Sequence, residues 1–148
     1  MDRLIIYTIG FTKKSAEEFF ETILKNNIEI LIDTRLNNQS QLAGFSKGRD
    51  LPYFLKKLSN CKYSYQSEYA PTKEILDSYK KGLISWQEYE IEYLNIVRQR
   101  NIVDHFFSKY GKLSNVLILC SESTPEYCHR RLLAEEFSSK YNYPIIHL

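Results

Sequence analysis

Between Cys120 and Arg130 the chain gathers two thiols, two carboxylates, an imidazole and a guanidinium in one run: Cys120, Ser121, Glu122, Ser123, Thr124, Pro125, Glu126, Tyr127, Cys128, His129, Arg130. A thiol attacks other atoms only as its thiolate, so a reactive cysteine needs a nearby base or positive charge. Cys120 or Cys128 is the candidate thiolate here, and Glu122 a candidate base or substrate acceptor. His129 is a candidate proton carrier, and Arg130 a clamp for phosphate or carboxylate.

Three chemistries compete for this run. In the first, one cysteine is a nucleophile or redox-active thiol, with His129 or His147 as its acid–base partner. In the second, Cys120, Cys128 and a histidine (His129 or His147) hold a metal. In the third, the thiols pack in the core, as buried free cysteines commonly do, and Glu122, Arg130 and Arg35 only bind a ligand. The spacing matches neither the paired Cys-x-x-Cys of a structural zinc site nor a thioredoxin motif. The Cys-x-x-x-x-x-Arg loop of cysteine phosphatases also fails, because Glu126 stands at the arginine position.

Other residues carry weaker signals. Asp33 and Arg35 read equally well as a structural ion pair or loop cap and as catalytic residues. Cys61 reads as a core or loop residue, and His105 as part of a helical pattern. The stripe Tyr79, Trp86, Tyr89, Tyr93 reads as packing, though beside Lys73, Lys80 and Lys81 it could also stack bases. Gly10 alone is not a phosphate loop, since neither Gly-x-Gly-x-x-Gly nor Gly-Lys-Ser/Thr occurs.

The elements that position these residues follow from hydrophobic periodicity. Leu4 to Ile9 is a short apolar run stopped by Gly10, a buried strand. Ser15 caps a helix over Ala16 to Asn27, with Glu17 and Glu18 at its positive end. Ile28 to Thr34 is a second strand, so the first unit is βαβ and its strands are parallel. Leu36 to Phe45 reads as an ordered polar loop, Arg49 to Leu58 as a helix, and Tyr63 to Gln66 as a short third strand.

A helix opens over Ala70 to Glu74 and ends before Gly82. The capping box Ser85 to Glu88 starts a long helix toward Arg100, with the pattern continuing to Tyr110. Asn115 to Leu119 is a strand ending in Cys120. Thr124 then caps, and Pro125 opens, a helix to about Tyr141 that places Cys128 one turn in. Pro144 to His147 is a last strand. In an open parallel sheet, ligands bind outside the carboxyl ends of the strands. That edge receives Gly10, Asp33, Arg35, Cys120, Glu122 and His147.

The totals bound the rest. A chain of 148 residues, 43% hydrophobic and 26% charged, fits one α/β domain over 1–148 with an ordinary core. A net charge of +2, with acids and bases mixed, does not by itself indicate nucleic-acid binding. No apolar stretch approaches membrane-spanning length, and three cysteines favour a reducing compartment, with the cytoplasm as the expectation.

These landmarks together resemble the family called domain of unknown function 488. The matching residues are Thr8, Ile9 and Gly10 after the first strand, and Asp33, Thr34 and Arg35 after the second. Cys120 and Glu122 follow the fourth strand, with Pro125, Glu126, Cys128, His129 and Arg130 beyond them; His147 matches the family's late histidine. Two stretches, Arg35 to Phe45 and Ala70 to Ile75, are similar to one subgroup. Members often carry His-Ser after the first glycine, where this chain has Phe11 and Thr12, so no histidine acts at that point.

The resemblance implies the fold and nominates the site. The expected architecture is a mostly parallel sheet with helices on both faces, in a single Rossmann-like domain. The leading functional expectation is an enzyme acting on a nucleotide or nucleic-acid-related substrate. Cys120, Glu122, Cys128 and His129 would carry the reaction, and Gly10, Asp33, Arg35, Arg130 and His147 would bind substrate. A non-catalytic module binding nucleic acid or protein through the Asn37 to Phe45 loop is one alternative, and a Cys/His metalloprotein the other. Sequence assigns no cofactor and no oligomeric state.

Overall fold

The structure, a computed structural model, describes residues 3–39, 44–121 and 125–148. Its elements run β1 (Ile5–Gly10), α1 (Ala16–Lys25), β2 (Ile30–Asp33), α2 (Leu51–Ser59), β3 (Lys62–Tyr65), α3 (Lys73–Lys80), α4 (Trp86–Gln99), α5 (Ile102–Tyr110), β4 (Asn115–Cys120), α6 (His129–Tyr141) and β5 (Ile145–His147). The expected caps form. Ser15 Oγ accepts the Glu18 amide at 3.0 Å, and Ser85 with Glu88 makes a reciprocal capping box on α4.

All strands pair in parallel, in the order β3-β2-β4-β1-β5. This is the Rossmann-like arrangement the sequence implies. β1 and β2 are parallel as expected, but β4 lies between them. The connections through α1 and α2 travel toward β3, whereas those through α3 to α5 and through α6 travel back toward β5. Right-handed crossovers therefore place α1 and α2 on one face and α3 to α6 on the other.

Each face has its own core. Ile6, Ile32, Val116 and Ile118 pack with Tyr93, Phe106, Leu133 and Phe137 on the α6 side. Tyr7, Ile9, Leu31, Leu117 and Leu119 pack with Phe19, Ile23, Leu51 and Leu55 on the α1 side.

Two elements differ from expectation. The long helix divides at Asn101, which takes the left-handed conformation at φ 52° and separates α4 from α5; asparagine tolerates that conformation better than most residues. The last helix begins at His129 rather than Pro125. Pro125 to Cys128 form a turn closed by the Cys128 amide on the Pro125 carbonyl at 3.3 Å, and Cys128 is extended at φ −136° and ψ 141°. Contacts of Cys128 with Cys120 and of His129 with Thr34 fix the first turn of α6, and these tertiary contacts override the local start signal of a proline. The expected cap at Thr124 lies outside the described residues. So do Glu122 and residues 40–43 of the polar loop.

Candidate functional site

The connections from the adjacent strands β2 and β4 leave toward opposite edges of the sheet, and in open parallel sheets ligands bind outside the carboxyl ends at such a point. In register, Thr8 stands beside Ile118 on one flank and His147 on the other, and Gly10 stands beside Cys120. Side chains alternate along a strand, so Thr8, Cys120 and His147 share the face of Ile6 and Ile118, toward α6. Between the loops that follow β1 and β4, the Thr12 amide donates to the Ser121 carbonyl at 3.3 Å, and the Thr12 hydroxyl donates to the same oxygen.

α6 completes the cluster. The sulfurs of Cys120 and Cys128 are joined, with their Cα atoms 7.5 Å apart, beyond the roughly 4.4–6.8 Å that disulfides usually span. Arg130 is fully buried at 0% exposure. Its Nη1 donates to Cys120 Sγ at 3.4 Å and its Nε to Thr8 Oγ1 at 3.2 Å. Thr8 Oγ1 also meets His147 Nδ1 at 2.5 Å.

The cation shapes its surroundings. Burial and then the Arg130 charge lower the proton affinity of His147, whose ring is partly open to solvent. Lys14, in the loop after β1, is half-buried and likewise lowered, first by burial and then by Arg130. Both effects come from the positive charge of Arg130, which an anion bound at this edge would offset.

His129 is anchored differently. Its Nε2 lies 2.9 Å from the Thr34 carbonyl and 3.0 Å from Thr34 Oγ1. Because the Thr34 hydroxyl donates to the Leu119 carbonyl at 2.8 Å, Nε2 is the donor to Thr34. Burial lowers the His129 pKa to about 4, so the ring is neutral at physiological pH. It pins the start of α6 to the end of β2.

Asp33 and Arg35 make a second cluster at the same edge. Asp33 is buried on the α1 face, in phase with Leu31. Arg35 Nε donates to Asp33 Oδ1 at 2.8 Å and Nη2 to Oδ2 at 2.7 Å, and Nη2 also reaches the Ser46 carbonyl at 2.6 Å. The Tyr63 hydroxyl donates to Oδ2 at 2.6 Å, and the Arg35 guanidinium lies 5.3 Å from the centre of the Phe11 ring. Burial, then the bond to Asp33, push the Tyr63 phenol well above its ordinary range.

The structure thus brings Cys120, Cys128, Arg130 and His147 together, and Gly10 stands beside Cys120 in register. His129 is directed to Thr34, and the Asp33–Arg35 pair sits across the sheet. Glu122 lies outside the described residues. Thr8 and Thr34 entered from the sequence only as landmarks without a role, and Lys14 and Tyr63 not at all. The period-two alternation that puts Thr8 in phase with Cys120 was the available signal for the first.

Among the described residues no three His, Cys, Asp or Glu side chains converge as a metal site. Two open cavities, of about 390 and 490 Å³, lie elsewhere: one between α3 and α4 beside Ile75 and Ile96, the other beside Glu29, Lys62 and Tyr110. Neither is lined by a thiol or an imidazole, so chemistry rather than volume marks the strand edge as the site. A family model described as Domain of unknown function DUF488 matches residues 15–137. No curated protein and no solved structure matches the chain.

Proposed function

The chain belongs to the domain of unknown function 488 family, and we propose that it is an enzyme whose reacting group is the Cys120 thiolate, acting on a nucleotide or nucleic-acid-related substrate. The observation that carries this reading is the buried Arg130 guanidinium donating to Cys120 Sγ at 3.4 Å. Once a thiol reductant has opened the Cys120–Cys128 bond, this fixed positive charge favours the thiolate, the attacking form, against the cost of burial.

Cys128 is the partner sulfur, in reach of any adduct formed at Cys120. Lys14, half-buried in the loop after β1, favours an anionic, phosphate-bearing substrate beside the sulfur pair. Attack forms a bond from Sγ to the electrophilic centre and breaks the bond from that centre to its leaving group. The leaving group takes up a proton from solvent water, and the neutral His147 ring donates a hydrogen bond to it from Nε2. Glu122, two residues beyond Cys120 in the chain, is assigned the role of base or substrate acceptor.

The test follows thiolate ultraviolet absorbance against pH in a reduced Cys61→Ser, Cys128→Ser double variant, where only Cys120 titrates among thiols. The expected apparent pKa lies below the roughly 8.5 of a free thiol. A value at or above that would overturn the reading.

A further inference from the structure

The side chain of Thr8 touches both the guanidinium of the sulfur site and the imidazole of the last strand. Its hydroxyl is fully buried, 3.2 Å from Arg130 Nε and 2.5 Å from His147 Nδ1. Donor rules decide the direction of each bond. A guanidinium only donates, so Thr8 Oγ1 accepts from Arg130. The hydroxyl proton then remains for Nδ1. If Nδ1 carried a proton instead, two donors would face one oxygen, and the hydroxyl hydrogen would be left pointing away from both.

We propose that Thr8 is a positioning residue: its hydroxyl donates to Nδ1 and holds His147 as the neutral Nε2–H tautomer, while holding Arg130 against Cys120. The Nε2–H edge is then the edge left for a ligand or for solvent, since Nδ1 is occupied. Donation from Arg130 polarises the hydroxyl and strengthens its own donation to the ring.

Charge acts in the same direction. From α6, Arg130 and Arg131 oppose protonation of His147 and Glu135 favours it, while β1 contributes no charged side chain beside it. Glu135 is itself engaged by Arg131 at 3.1 Å, which blunts its influence. Protonating the ring would require the hydroxyl to turn away from Nδ1, as well as placing a second positive charge beside Arg130.

The claim about His147 stands apart from the proposed reaction, and only the effect on Cys120 rests on that reading. The experiment is imidazole nitrogen NMR on uniformly ¹⁵N-labelled protein, in the wild type, Thr8→Ser and Thr8→Val. In the wild type and Thr8→Ser, His147 Nδ1 is expected to have the shift of an unprotonated ring nitrogen, and Nε2 that of a protonated one. In Thr8→Val the two tautomers mix. A protonated Nδ1 in the unmodified protein at neutral pH would overturn the proposal without recourse to any variant.

The thiolate titration of Cys120, repeated in the same variants, reads the second half. Thr8→Val is expected to raise its apparent pKa by about one pH unit, with Thr8→Ser restoring it. An expected tautomer with an ordinary wild-type thiol would remove the proposed reaction and leave the His147 assignment standing. An unchanged thiol titration in Thr8→Val would remove the link to Arg130.

Discussion

Arg130 Nη1 lies 3.4 Å from Cys120 Sγ, and neither side chain is more than 1% exposed. In that setting the charge is screened little by solvent. Replacing Arg130 by Met keeps much of its length and removes the charge. The apparent pKa of the Cys120 thiol is expected to rise by about 1–3 pH units. Arg130→Lys restores the charge but not the fork that reaches both sulfur and Thr8, so its value should fall between. Thiolate absorbance in the reduced protein reads both.

His129 gives a pH dependence whose sign follows from its burial. Its pKa is lowered from 6.5 to about 4 in the folded chain. Unfolded chains therefore bind the proton first as pH falls, and the stabilisation present above about 6.5 is lost on the way down to about 4. At about 1.4 kcal/mol for each tenfold change in proton affinity, the loss is on the order of 3 kcal/mol. Urea unfolding at a series of pH values should show this slope in the wild type and a shallower one in His129→Gln, because an amide can still donate to Thr34 without titrating. Parallel curves would mean that the ring does not carry the effect.

Much of this was written in local chemistry. The Ser15 cap and the Ser85–Glu88 box rest on side chains that bond their own helix, and both form as read. What depends on distant partners was not legible. Pro125 is a sound local start signal, yet α6 begins at His129 because Cys128 and His129 are held by β4 and by Thr34. The separation of Asp33 from Cys120 was hidden for the same reason: a sheet edge collects residues, but the strand order and the alternation of faces decide which of them meet. Cys120 with Cys128 could be read from one segment, whereas Thr8 with Arg130 spans 122 positions.

The Asp33–Arg35 pair should be a stability element whatever its role in binding. Both groups are withdrawn from water, and Asp33 accepts from Arg35 and Tyr63 together. Breaking such a pair leaves an uncompensated buried charge, so Asp33→Asn is expected to cost about 3–5 kcal/mol. Tyr63→Phe removes only one bond to the carboxylate and should cost about 1.5–3 kcal/mol. Denaturant unfolding measures both. A smaller effect for Asp33→Asn than for Tyr63→Phe would contradict the pairing.

Cys61 supplies the internal reference for the chemistry of the other two sulfurs. It is buried, its thiol donates to the Lys62 carbonyl at 3.3 Å, and burial pushes its pKa up to about 12. Cys61 should therefore stay inert when the reduced protein meets a small aromatic disulfide. Cys120 attacks one sulfur of the reagent, forming a mixed disulfide and releasing one small thiol. Cys128 then attacks Cys120, releases the second small thiol and closes the pair. The net change is one protein dithiol oxidised and one reagent disulfide reduced to two thiols. Intact mass of the wild type should show loss of two hydrogens and no adduct. In Cys128→Ser the reaction stops at the mixed disulfide on Cys120, with a melting temperature in reductant close to that of the wild type. An adduct that persists on Cys120 in the wild type, with Cys128 left reduced, would show that the two sulfurs do not act as a pair.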